Sequence, residues 1–500
     1  MDELDELNEQ QAQRLRKVEE LRAAGIESYP ARTGRTHTAE AARERYQEVA
    51  ADLGDSPDTE AITVAGRVIS PRNMGKSIFT HIRDGSGTLQ LYLRRGIVSD
   101  EEFERFRRFI DQGDFVEATG HLMRTRTGEL TLQVTSFQLL SKAINPPPEK
   151  WHGLSDVETR YRQRYADLIS NDEVRRIFEV RAHSISAIRA FLDERGFLEV
   201  ETPVLQPLYG GAAAQPFTTH YRSLDQTMYL RIADELYLKR LIVGGYDRVY
   251  EIAKDFRNEG VDARHSPEFT MLEFYVAYAD YRDVMDLVEQ MIPFVALRAL
   301  GSEQIVYNGQ EIDLAPPWRR ITLRQALIDA AGIDFLAVTD QRELYERARA
   351  LGAEIAPDTV WARIVDELLK TFVIPTLIQP TILYDYPVQL SPLAKRSPEN
   401  PEIAERFQIF IGTLECGNAF TELNDPFDQL ERFRQQVRDR EAGDLEAMPI
   451  DEDFINALFF AMPPTGGFGL GIDRLTMLLT DQTNIREVIL FPHLRTKTAY

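Results

Sequence analysis

The stretch "DFRNEGVDARHSPEFTMLEFY", Asp255 to Tyr275, reads as two strands joined by a short basic turn. A strand has period two, so Asp255, Arg257 and Glu259 are expected on one face, and Phe269, Met271, Glu273 and Tyr275 on one face of the return strand. Two strands inside a protein normally show each other apolar side chains, yet these show charge. A polar ligand between them is the reading that reconciles burial with charge.

Working outward, 500 residues with 43% hydrophobic content can bury a sizeable core and suggest more than one domain. The lone cysteine excludes an intrachain disulfide, and no apolar N-terminal segment resembles a signal peptide. Apolar runs such as "FINALFFAM" are too short to span a bilayer, so a cytoplasmic protein with no membrane partner is expected. A net charge of −22 argues against nucleic acid until its distribution is considered. Residues 62–142 carry twelve Lys/Arg and nine Asp/Glu, a net of +3, which leaves −25 on the remainder. A basic module is attached to an acidic body.

That module contains "ITVAGRVIS", "KSIFTHIRD", "GTLQLYLRR", "DFVEATGHLMRT" and "ELTLQVTSFQLLS", short β-branched and aromatic runs separated by turn residues. Five strands with an intervening helix, Asp100 to Gln112, fit a small Greek-key barrel of the oligonucleotide-binding type. The first fifty or so residues look helical and charged. "NPPPEKW" is a connector, because three prolines continue neither a ladder nor a helix. From Asn171, a candidate N-cap, Ile177, Phe178, Ile185, Ile188, Phe191 and Leu192 recur at helical spacing up to the stop at Gly196. "FLEVETPVL" follows as a strand, and Val306 to Pro380 gives helices and connectors without identifiable chemistry.

"NMGKS", Asn73 to Ser77, mimics the end of a phosphate-binding loop, but the first glycine of that motif would fall at Ser70, between barrel strands. "GGFGLGIDR", Gly466 to Arg474, alternates glycines that permit close approach of a ligand to a strand; alone it reads equally as a strand bulge. Taken together, "GFLEVETP", "FRNEG...RHSPEF" and "GFGLGIDRL" resemble, in order, the three motifs of the class II aminoacyl-tRNA synthetases. "HGLSDVETRYRQRYADLI", "MYLRIADELYLKRLIVGG", "SPLAKR" and "GNAFTELNDP" are similar to the lysyl members of that class. The resemblance runs from about Ile62 to Pro492. It implies an α+β fold: an N-terminal five-stranded OB-fold β-barrel, then a class II catalytic domain built on an antiparallel β-sheet flanked by helices. Expected boundaries are 1–60 for a helical extension, 61–145 for the anticodon-binding barrel, 146–171 for a linker and 172–500 for the catalytic domain.

The reaction implied joins two anions, the carboxylate of L-lysine and the α-phosphate of ATP, before transfer to the terminal ribose of tRNA(Lys). By resemblance Arg257 bridges those anions and is the catalytic residue; a structural bridge between Asp255 and Glu259 is the alternative. The resemblance also gives ATP to Arg264 and His265 at the β/γ-phosphates, Glu259 at the adenine amino group, and Phe269 and Arg474 on the two faces of the base. For lysine it implies Glu422 and Tyr275 at the ε-ammonium, Glu235 and the Gly211 backbone at the α-ammonium, and Glu273 lining the pocket. From strand parity, Asn418, Phe420 and Glu422 share a face that ends an apolar wall in a carboxylate. Each acid alone could equally be an ordinary salt bridge.

In the barrel, Phe79 resembles the family's base-stacking residue and Gln90 its base-reading amide, although Phe79 could be core. Magnesium is implied at Glu415 and Gln408, where the second position is usually a glutamate in the family. A turn at Gly412 and Thr413 would bring the pair together, but Glu415 and Asn418 then fall on opposite faces unless Gly417 sits in a bulge. The first motif, including Pro203, implies a homodimer. A paralogue that aminoacylates a protein, typically without the barrel, and an RNA-binding protein with an inactive catalytic domain are the competing readings.

Overall fold

The computed structural model describes residues 7–53, 58, 60–148, 154, 156–441 and 447–495, and divides into two compact units, 1–155 and 156–500. Part of the expected connector, 149–151, lies outside the described residues, as do 1–6 of the helical extension.

In the first unit the expected strands form at Ala61–Val68, Ser77–Arg83, Thr88–Arg94, Phe115–Arg124 and Leu130–Ser141, with a helix at Asp100–Phe109. Each alternates buried and exposed positions along much of its length, the signature of a sheet wrapped around one core. The first strand pairs with both the fourth and the second, which closes the barrel and removes its edges. The two-residue strand Arg72–Asn73 pairs with the second strand, so "NMGKS" is a hairpin turn and not a phosphate loop. The helices Glu9–Ala23 and Ala39–Leu53 contribute Leu21, Ala42 and Tyr46 to the same core.

The second unit is organised by an eight-stranded sheet in the order Arg319–Thr322, Thr381–Pro387, Ile403–Ile411, Leu414–Thr421, Thr465–Gly471, Glu268–Ala277, Arg248–Phe256, Leu198–Glu199. The five interior pairings are antiparallel, as expected, but the outermost pairing at each edge is parallel. Both edge strands enter from helix-containing connections, which permit a parallel arrangement where a hairpin does not. "FLEVETPVL" is mostly irregular: only Leu198–Glu199 and Leu205–Gln206 are strands, and they belong to different sheets.

One face of the large sheet is apolar. Tyr250, Leu272, Phe274, Phe407, Ile409, Phe468 and Leu470 pack there with the helices Asp172–Asp193, Tyr281–Leu300 and Ile472–Leu479. Asn171 caps the first of these helices by accepting from the Glu173 amide, and Ile188, Phe191 and Leu192 are its buried stripe. The unit also includes two short helices, Val157–Arg162 and Arg164–Ser170, inside the stretch read as linker. Arg164 anchors them: it is fully buried, pairs with Asp167 and donates to the carbonyls of Arg486 and Leu490. Residues 323–377 fold into a helical cluster with its own core around Phe335 and Leu368. The other face carries the polar residues Glu251, Asp255, Glu273 and Gln408 between apolar patches around Val249 and Phe410.

Candidate active site

Three adjacent strands build the floor of a cavity of about 350 Å³. Glu268–Ala277 and Leu414–Thr421 flank Thr465–Gly471, whose glycines lie between large side chains from both neighbours. Gly467 is opposite Tyr275 on one side and Phe420 on the other; Gly469 is opposite Glu273 and Asn418. A Cβ at Gly467 would lie 2.0 Å from Glu422 Oε1 and 2.5 Å from a Tyr275 ring carbon. The alternating glycines therefore leave room in the floor, and Phe269, Met271, Glu273 and Tyr275 all line the cavity as their period-two spacing predicts.

The outgoing strand departs from that reading. It ends at Phe256, so Asp255, Arg257 and Glu259 do not share a face. Asp255 is completely buried and turns to Arg231, with Nε 3.3 Å away. Arg257, beyond the strand end, lines the cavity, donates from Nε to the Ile232 carbonyl and lies over the Phe269 ring, 5.0 Å from its centre. It does not bridge Asp255 and Glu259. Glu259, Arg264 and His265 line the cavity from the following loop. That loop is tied by Asp262, which accepts from the amides of Arg264 and His265 and meets the His265 ring at 2.8 Å. The sequence signal for Asp262 was an Asp two residues before a turn arginine, a common side-chain-to-backbone turn.

Arg474, from the first turn of the helix after the glycine strand, donates to the Glu415 carbonyl at 2.9 Å and meets His265 Nε2 at 3.3 Å. With Arg257 over Phe269 and Arg474 held by Glu415 and His265, the cavity holds a cluster of cations suited to a polyanion.

The opposite pole is acidic. Glu235, Glu273 and Glu422 line the cavity with Gly211, Asn418 and Phe420. Tyr275 donates to Glu273 at 3.0 Å. Burial pushes Glu422 up to about 8, against the pull of Lys239. Glu273 is raised well above the usual range by burial and by the neighbouring acids Glu235 and Asp255. Behind these, Arg231 pairs with Glu251 at 2.7 Å, and Asp255 is pushed up to about 6 by burial, Arg257 and Arg231 opposing. Asp234, raised strongly by burial and Glu273, falls with Asp255 and Glu273 in a group whose ligand oxygens lie within 4.8 Å of one another. An ammonium entering this pole supplies the charge that burial withholds. Sequence reading missed Lys239, which is fully buried, and Arg406, which donates to Asn418 Oδ1 at 2.9 Å. A lysine in an apolar helix gave only an i,i+4 pairing signal with Glu235.

Gly412 and Thr413 form the tight turn, both at positive φ, and Phe410 is opposite Glu415. The extra residue of the bulge is Cys416, one position before the expected Gly417, and it places both Glu415 and Asn418 on the cavity. Burial pushes its thiol up to about 12, so it stays protonated. Gln408 does not line the cavity; it is buried beside it and donates from Nε2 to Glu415 Oε1 at 2.7 Å. An amide rotation would turn its carbonyl outward. One carboxylate and one carbonyl are hard oxygen donors that fit a magnesium ion completed by phosphates and water.

In the barrel unit, Phe79 is half-buried between the buried Ile78 and Thr80, on the outer face and not in the core. It stacks on Tyr92 with centroids 4.6 Å apart. Gln90 shares that face with His81, opposite it. Its amide donates to Glu129 at 2.8 Å and accepts from Thr131 at 2.7 Å, so Glu129, missed in the sequence, sets its orientation. Aromatic planes beside an oriented amide suit unstacked bases.

Residues 156–495 match the family model described as tRNA synthetases class II (D, K and N), and residues 62–140 match that of the OB-fold nucleic acid binding domain. The chain is 57% identical over 494 residues to a lysine--tRNA ligase of Chloroflexus aurantiacus, covering 99% of both chains. It is 57% identical over 492 residues to that of Roseiflexus castenholzii, covering 98% of this chain and 99% of the other. With the lysine--tRNA ligase of Carboxydothermus hydrogenoformans the identity is 50% over 493 residues, 99% of each chain. Among the described residues no helix is long and apolar enough to cross a membrane.

Proposed function

The chain belongs to the class II tRNA synthetases and within them to the lysine--tRNA ligases, and from that premise we propose how its residues activate L-lysine with ATP and charge tRNA(Lys). The observation that carries the reading is the cavity with two poles: cationic around Arg257, Arg264 and Arg474, acidic around Glu235, Glu273 and Glu422. Lysine presents one carboxylate and two ammonium groups, and ATP presents phosphates and a planar base. Each pole suits one set.

Arg257 receives the lysine carboxylate and the α-phosphate together, reducing the repulsion between them as they approach. A carboxylate oxygen forms a bond to the α-phosphorus, the bond from that phosphorus to the bridging oxygen breaks, and pyrophosphate leaves with the electron pair. Arg264 and His265 hold the departing phosphates. Phe269 supports the adenine, Arg474 covers its other face, and Glu259 accepts from the exocyclic amine. Glu415, with Gln408 turned, would hold magnesium, which would neutralise phosphate charge there. Glu422 and Tyr275 take the ε-ammonium; Glu235 and the Gly211 carbonyl take the α-ammonium. A neutral side chain would bring no charge to the buried acids Glu422 and Glu235, which share the single Lys239 ammonium, so it is rejected. The ribose hydroxyl of tRNA then attacks the lysyl carbonyl, and AMP leaves.

Phe79 and Gln90 read the anticodon. The barrel sets the chain apart from a protein-modifying paralogue. Cytoplasmic location follows from a role in translation, and a homodimer through the Pro203 region is supported by the exposed Leu198, Val204 and Leu205 around it. The test is lysine-dependent ATP–pyrophosphate exchange with the wild type and Arg257→Ala. Exchange that falls by more than about tenfold, 1.4 kcal/mol of barrier, supports the assignment. A smaller loss, or exchange with no amino acid, refutes it.

A further inference from the structure

Lys239 is a buried cation behind the acidic pole, and no step above uses it. It lies in the helix Glu235–Val243, its side chain has no exposure, and its ammonium is 2.5 Å from Glu235 Oε1 and 2.5 Å from Glu422 Oε2. The two acids come from different elements: Glu235 begins the helix, and Glu422 follows the strand Leu414–Thr421. Lys239 ties them together. A helical side chain leans toward the N-terminus, which carries Nζ back to Glu235 one turn earlier.

We propose that Lys239 is a positioning and specificity-determining residue for lysine: its ammonium fixes the spacing of Glu235 and Glu422 and sets the charge of the acidic pole to that of the substrate. This rests on the lysine-pocket reading above. Three acids line the pole, and when two ammonium groups enter and draw all three into their ionised form, the one internal cation leaves two negative charges to match them. Arg257 answers the carboxylate. The groups behind are otherwise engaged: Glu251 and Asp255 face Arg231, Asp234 lies against Glu273 and is raised by burial and by that neighbour, and Tyr275 donates to Glu273. The aromatic ring of Phe454, 6.0 Å from Nζ, closes the remaining side.

The opposing forces agree with this. Burial pulls the Lys239 ammonium down, but Glu235 and Glu422 outweigh it and it is held charged. In return it pulls both carboxyls down against their burial. Without it, two buried acids would face each other, and the cheaper state is a proton on one of them. Lysine would then have to displace that proton to bind.

The experiment compares wild type, Lys239→Met and Lys239→Arg in lysine-dependent exchange from pH 6.5 to 9, with melting temperatures alongside. Lys239→Met should raise the lysine KM by about tenfold or more at pH 7, leave kcat within about threefold, and move the acid limb of kcat/KM upward by about one unit. Lys239→Arg, which keeps the charge, should retain the wild-type profile. A folded Lys239→Met with unchanged lysine KM overturns the proposal. So does a raised KM with an unmoved pH profile, or a Lys239→Arg as impaired as Lys239→Met, since either marks lost packing and not lost charge. If Lys239→Met does not fold, Lys239→Gln is read by the same criteria. Wild-type exchange separates the two claims: its absence refutes the lysine-pocket reading itself, whereas its presence with insensitive Lys239 variants refutes this proposal alone.

Discussion

Gly467→Ala adds one methyl group to the floor of the proposed lysine pocket and tests its geometry directly. The new Cβ would stand 2.0 Å from Glu422 Oε1 and 2.5 Å from the Tyr275 ring, well inside van der Waals contact. The carboxylate is the end of a side chain and yields first; Tyr275 is buried and has little room to follow. Displaced by an ångström or more, Glu422 loses its bond to the ε-ammonium, a charge-assisted contact worth about 1.5–3 kcal/mol. The lysine KM in ATP–pyrophosphate exchange should therefore rise by roughly 10- to 150-fold. The KM for ATP should hold, because the atoms nearest the added methyl belong to Glu422 and Tyr275 and not to Phe269, Arg264 or Arg474. A lysine KM within about threefold of wild type would refute the placement of the ε-ammonium beside Gly467.

Three further outcomes are expected. Because burial raises Glu422 to about 8 and only its ionised form binds an ammonium, the lysine KM should fall as pH rises from 6.5 toward 8.5, by up to about tenfold per unit below that value; a flat profile contradicts it. Phe79→Ala should weaken tRNA charging by the worth of one stacked base, about 1–3 kcal/mol, with exchange nearly intact, and equal loss in both assays would mark a folding defect instead. Gln408→Glu should lower the magnesium needed for half-maximal exchange, since a second carboxylate replaces an amide beside Glu415, and an unchanged requirement would remove Gln408 from the metal site.

Much of this site was legible because period two is a strict rule inside a strand. Phe269, Met271, Glu273 and Tyr275 fall on the cavity as their spacing demands, and alternating glycines in the neighbouring strand mark where side chains from both sides need room. The rule failed where the strand stopped. Asp255 and Arg257 are two apart, but the chain leaves the ladder at Phe256 and the two side chains part, one into the protein and one into the cavity. The hairpin at Gly412 was readable from its turn, while the bulge at Cys416 was off by one residue because nothing local distinguishes Cys416 from Gly417 as the unpaired position. The pairings of Lys239 with Glu422 and of Arg231 with Glu251 were invisible for a different reason: the partners are distant in sequence and only the fold brings them together. The same holds for the parallel pairings at the edges of the sheet, which depend on how long connections return.

The most direct measurement is charging of total tRNA by the purified protein with each of the twenty amino acids, ATP and magnesium. Alkali-labile attachment of lysine alone, to tRNA whose charging is weakened by Phe79→Ala, is the predicted result. Activation of lysine without any transfer to tRNA, or transfer of a different amino acid, would contradict the account.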